Sequence, residues 1–129
     1  FHGKYNDFPP IRCYPQPIQN PHPPVLLGAI NNPRSLKRVA EWGDGWMPLV
    51  QSVEEFQEGV QQITSFCKDI NRDPSEIDFT VFGIGDQWKS KEEIERLSAA
   101  GANRVVLWLN GVDADELKSE LDSLASMAL

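Results

Sequence analysis

Residues 24–49 constrain the fold more than any other stretch of this chain. Val25, Leu26 and Leu27 form a continuous apolar run closed by Gly28. Continuous rather than alternating apolarity marks a strand buried on both faces. Asn32 is a good N-cap and Pro33 a good first helical residue. Leu36, Val39 and Ala40 repeat at helical spacing, and Gly43 closes that helix. Gly45, Trp46, Met47, Pro48 and Leu49 then read as a second short strand. Strand, helix and strand within 26 residues is the economy of a βαβ unit in a parallel sheet.

The pattern repeats downstream. Ser52 caps a helix with Glu54 and Glu55 in its first turn, and its core face reads Val53, Phe56, Val60, Ile63, Cys67 and Ile70. Asp73 and Pro74 mark a loop. A third strand spans residues 79–82 and ends at Gly83 and Gly85. Ser90 caps a helix through Ala100, stopped by Gly101. Residues 104–109 read as a fourth strand, Asn110 and Gly111 as a turn, and Asp113 with Glu116 as a capping box. Leu117, Leu121 and Leu124 line the last helix. Four strand–helix units with no hairpin pair among them specify an α/β fold, a parallel sheet with right-handed crossovers. Two closed solutions satisfy this order. One is a four-stranded doubly wound sheet standing alone, a flavodoxin-like arrangement. The other is half of a (β/α)8 barrel, since a whole barrel takes about 250 residues and this chain has 129.

Residues 1–23 differ from the rest. Pro9, Pro10, Pro15, Pro17, Pro21 and Pro23, with Pro24 beside them, forbid a helix or a central strand, so the segment reads as an extended entry before a half-barrel at 24–129. Phe1, Tyr5 and Phe8, spaced around Gly3 and Asn6–Asp7, suit a small hairpin or lid-like excursion. The absence of an initial methionine and this proline-rich opening suggest a chain cut from a longer one.

Composition removes several function classes. The net charge is −7, so no basic surplus exists to neutralise nucleic acid or an anionic membrane. Apolar runs of five or six residues are too short to span a bilayer. No signal peptide is evident, and Cys13 and Cys67 form no paired motif, which fits a cytoplasmic protein. His2 and His22 lack partners at metal-ligand spacing, so no metal site is expected.

Sites in parallel α/β folds form at the C-terminal ends of strands. Here the helix starts discriminate between the loops. Three carry acids: Glu54 and Glu55; Glu92 and Glu93; Asp113, Asp115 and Glu116. These satisfy the helix dipole and repel an anion. The first helix start has none. It offers Gly28, Ala29, Asn31, Asn32, Arg34 and Ser35 as candidate cofactor-binding residues, with Gly28 letting a ligand approach the backbone. The plainer alternative is that Asn32 and Ser35 only cap the helix while Arg34 is solvated. Gly83 and Gly85 lack the third glycine of a dinucleotide fingerprint, since Trp88 stands in its place. Asp44 precedes its strand and reads as a structural loop residue. Trp46 and Trp108 read as strand residues of the interior or the strand–helix core. Trp88 reads as a residue walling a pocket or an interface. No residue is assignable as a catalytic acid, base or nucleophile.

The run from Val25 to Gly28, followed by Ser35, Leu36, Lys37, Arg38, Val39, Ala40, Glu41, Trp42, Gly43, Asp44, Gly45, Trp46, Met47 and Pro48, resembles the luciferase-like monooxygenase family. Residues 1–8, residues 15–19, Arg72–Pro74 and Ala100–Ala102 resemble the same family in order along the chain. The resemblance implies strands five to eight of a (β/α)8 barrel and an oxidoreductase using FMN or the deazaflavin F420, with a small-molecule substrate. It places the cofactor beside the turn after the first strand here. It also implies that the first four strands, with much of the cofactor pocket, lie outside this chain, which is then inactive alone. The alternative is a non-catalytic half-barrel that self-associates through its open sheet edges, which makes a homo-oligomer the expectation in that case.

Overall fold

The computed structural model describes residues 1–128. The elements run in the order β1 (Leu26–Leu27), α1 (Pro33–Trp42), β2 (Gly45–Trp46), α2 (Val53–Asp69), a single 3-10 turn (Pro74–Glu76), β3 (Asp78–Phe82), α3 (Lys91–Ala99), β4 (Arg104–Val106) and α4 (Ala114–Ala128). All four strands are parallel, in the spatial order β1-β2-β3-β4. Each crossover therefore returns to the neighbouring position, as in one side of a barrel.

Local chemistry sets the boundaries. Asn32, Ser52 and Ser90 cap α1, α2 and α3 by accepting from the N–H three residues on. At α3, Glu93 reaches back to the Ser90 N–H and closes a full capping box. Asp113 accepts from the Glu116 N–H, but the Glu116 carboxylate reaches the N–H of Val112 rather than that of Asp113. The expected box is thus displaced by one residue.

Trp46 pairs in register with Leu27 on one side and Phe79 on the other. Its indole stacks on Phe56 of α2, with centroids 5.8 Å apart and planes 5° from parallel. That face of the sheet is therefore the one the helices cover. It gathers Leu36, Val39, Ala40, Trp46, Phe56, Ile63, Cys67, Val81 and Leu97 at 0% exposure. Gly59 makes the contact possible, because a Cβ there would stand 2.1 Å from the Trp46 ring. Strand alternation turns Asp78, Thr80 and Phe82 to the opposite, concave face.

Several expectations are corrected. The second strand stops at Trp46 rather than Leu49: Met47 makes the last bond, to the Leu27 carbonyl, and Pro48 has no N–H to continue. The fourth stops at Val106 rather than Leu109, where the Gly83 N–H takes its carbonyl and β3 has ended. Ile70 is not core. It is the C-cap of α2, 44% exposed, and Asn71 follows at φ 57°. Leu121 is 52% exposed, so only part of the expected α4 stripe is covered.

Residues 1–25 are all exposed. At their start, Phe1 and Phe8 exchange backbone bonds and stack at 5.6 Å, and His2 pairs with Asp7, giving a small hairpin. Asp44 ties the entry to the sheet by accepting from the Val25 N–H at 2.7 Å.

Candidate functional site

The β1–α1 turn is built from two tight local bonds, Ala29 N–H to Leu27 and Asn32 N–H to Ile30. Its shape is fixed from below. The Trp46 indole N–H donates to the Ala29 carbonyl at 2.8 Å, and the Asn31 amide donates to the Glu55 carbonyl at 3.0 Å. Gly28 leaves open backbone, since a Cβ there would meet only the Met47 carbonyl at 3.8 Å.

Two small cavities flank this turn. One, of about 320 Å³, is lined by Leu27, Gly28, Ala29, Ile30, Ser35 and Arg38. The other, of about 300 Å³ and mostly apolar, is lined by Gly28, Ala29, Ile30, Met47, Leu49 and Phe82. The shared Gly28–Ile30 ridge thus has a hydroxyl and a guanidinium on one side and an apolar wall on the other.

Of the six candidate residues, Gly28, Ala29 and Ser35 meet at one cavity. Asn32 is turned to its capping role, accepting from Ser35 N–H at 2.9 Å and, through its carbonyl, from Leu36 N–H. Pro33 has no N–H, so the Arg34 N–H is the group left open at the helix start. The Arg34 side chain is exposed and does not line either cavity. Asn31 faces α2, and its side-chain oxygen is buried without a partner among the described residues.

Arg38, Met47, Leu49 and Phe82 line these cavities beyond the six residues that the sequence singles out. Arg38 lies one helical turn beyond Ser35 on the same face. Phe82 was readable as the last residue of a strand whose alternate side chains share a face. Phe82 also meets Trp108 edge-on at 6.3 Å, and Trp108 is 48% exposed, so this tryptophan belongs to the concave face. Trp88, expected to wall a pocket or interface, is instead 5% exposed in the core against Gly83, at φ 62°.

The rim over β3 and β4 is electrostatically different. Lys89 there donates to Glu120 at 2.5 Å and to Asp86 at 3.3 Å. Glu120 also accepts from the N–H groups of Asn110 and Gly111. The Lys89 bond, with the two N–H groups behind it, outweighs desolvation and holds the Glu120 carboxyl below its ordinary value. The surrounding groove adds Asp115 and Glu116. It disfavours an anion, whereas the first turn presents no acid. No group of three or more potential metal-ligating side chains occurs among the described residues.

Four parallel strands in consecutive order, alternating with helices, form an α/β fold with an open rim at the C-terminal ends of the strands. The chain belongs to the luciferase-like monooxygenase family, whose description matches residues 1–126. Uncharacterized proteins of Mycobacterium tuberculosis and Mycobacterium bovis are 26% identical over 98% of this chain and only 43% of their own length. The chain thus spans less than half of the curated relatives it matches. The coenzyme F420-dependent tetrahydromethanopterin reductase of Methanopyrus kandleri shares the fold, with a TM-score of 0.59 and 17% identity. That match covers 79% of this chain and 48% of the reductase. Among the described residues no helix is long and apolar enough to cross a membrane.

Proposed function

We propose that this chain is the C-terminal half-barrel of a flavin- or F420-dependent oxidoreductase and supplies one wall of its cofactor site. The observation that carries this is the two-sided ridge at Gly28–Ile30. Ser35, Arg38 and an acid-free helix start lie on one side, and Met47, Leu49 and Phe82 on the other. A flavin or deazaflavin has the matching chemistry: a flat ring for the apolar wall and an anionic tail for the cationic one. Bound there, such a cofactor carries the hydride chemistry. The chain's own residues would bind and orient it: Arg38 would neutralise charge, the Ser35 hydroxyl would donate a hydrogen bond, and the apolar wall would exclude water from one ring face.

A single wall leaves the other ring face wet, since Ile30 and Leu49 are 73% and 57% exposed. Turnover by this chain alone is therefore not expected, and weak binding is. FMN and F420 titrations followed by fluorescence quenching test this. Saturable quenching that Arg38→Glu weakens about tenfold is the expected result. No saturable quenching by either cofactor up to about 1 mM, with the chain folded, overturns the reading. The F420-dependent reductase neighbour lends the deazaflavin some support.

A further inference from the structure

We infer that Trp42 is a positioning residue for Arg38: its ring holds the guanidinium beside the Gly28–Ile30 ridge with the charge and N–H fork free for phosphate oxygens. This rests on the reading of that turn as one wall of a cofactor site, and adds what keeps its cationic side in place. Trp42 is the last residue of α1, one helical turn beyond Arg38. The Arg38 Cζ lies over its ring, 5.8 Å from the centroid, within the reach of a cation–π attraction. The same side-chain conformation lines the cavity beside Gly28, Ala29 and Ser35. The ring-held arrangement and the binding arrangement are therefore one.

Elsewhere in the molecule cations are fixed by acids. Arg72, Arg96 and Arg104 each pair with a carboxylate, and Lys89 is held by two. A carboxylate that fixes a cation also neutralises it. Glu41, three residues past Arg38, is the acid within helical reach, and Lys37 engages it at 3.8 Å. Among the described residues Arg38 has neither an ion-pair partner nor a side-chain hydrogen bond, and its one recorded neighbour of this kind is the Trp42 ring. An aromatic face restrains the side chain yet leaves its charge intact, and the planar guanidinium fork matches a phosphate bidentately. Trp42 is itself 52% exposed, so its ring contributes little to the core.

Proton–nitrogen NMR of the full chain reads this, with inorganic phosphate as the probe. Without phosphate, the Trp42 ring current should displace the Arg38 side-chain Nε–H signal, and Trp42→Leu should remove that displacement. Phosphate should shift the Ala29 and Ser35 amides saturably in the wild type. Trp42→Leu keeps apolar bulk and loses the ring face, so it should weaken binding about two- to fivefold with the circular dichroism unchanged. Trp42→Phe should recover most of the loss. In an Arg38→Gln background Trp42→Leu should change nothing, because its effect runs through the guanidinium. An undisplaced Arg38 signal, equal phosphate midpoints in wild type and Trp42→Leu, or a loss that persists without Arg38 overturns the inference. So does the lack of any saturable shift up to about 100 mM phosphate. Saturable phosphate shifts without quenching by FMN or F420 reject the cofactor reading and leave this inference standing. Cofactor quenching with a phosphate response indifferent to Trp42 does the reverse.

Discussion

The two ends of the sheet are held in different ways. Around β1 and β2, helices α1 and α2 bury Leu36, Val39, Ala40, Phe56, Ile63 and Cys67 completely against Trp46. At the other end, α4 carries Leu117 and Leu124 half-buried and Leu121 mostly open. Its firmest anchor is polar, the Glu120 carboxylate gripping Lys89 and two backbone N–H groups. Apolar packing makes the first end a rigid platform. The second end relies on a few charge-assisted bonds, which acid or a single substitution releases.

Trp46→Ala should break this contrast most severely. It removes the core indole and its bond to Ala29, and should cost about 3–5 kcal/mol in urea unfolding. Cys67, whose thiol burial pushes up, reports the same event. In the wild type a thiol reagent should modify exposed Cys13 rapidly and Cys67 only on unfolding; in Trp46→Ala the two rates converge. Gly59→Ala should cost about 1–3 kcal/mol, because its new methyl overlaps the Trp46 ring. Arg72→Ala comes next, at about 1–2 kcal/mol. Its guanidinium donates to the Ala40 carbonyl at 2.9 Å and to Val39 at 3.4 Å, near the end of α1.

The smallest effect is local to α4. A carboxyl whose folded value is depressed stabilises fully above its unfolded value, near 4.5 for Glu120, and loses that contribution as pH falls through the lower folded value. Amide exchange in α4 should therefore accelerate below about pH 4.5, while α1 and α2 hold. Glu120→Gln should produce the same acceleration at neutral pH. Equal acceleration in α2 would erase the distinction between the two ends.

Most of the fold was legible from the chain because caps and periodicity are local. Asn32, Ser52 and Ser90 announce their helices within four residues. Strand ends were less legible, because a ladder stops where a donor or a neighbour runs out: Pro48 has no N–H to follow the Met47 bond to Leu27, and Leu107–Leu109 extend past the end of β3. Ile70 fits the α2 stripe, yet lies just past the last helical residue, where the chain turns outward. At the site, the turn was visible as the only acid-free helix start. Its apolar side was not, since Phe82 reaches it from β3, two strands away in the register of the sheet. Arg34 looked better placed than Arg38 because proximity in sequence was the only guide to distance.

The Trp46 indole touches both the α2 core and the carbonyl of Ala29. It therefore works as a strut whose foot is in the hydrophobic interior and whose head props the ridge between the two cavities. A ligand that pushes on the ridge must also disturb the stack with Phe56. Trp46 emission should consequently register occupancy of the turn without any added label.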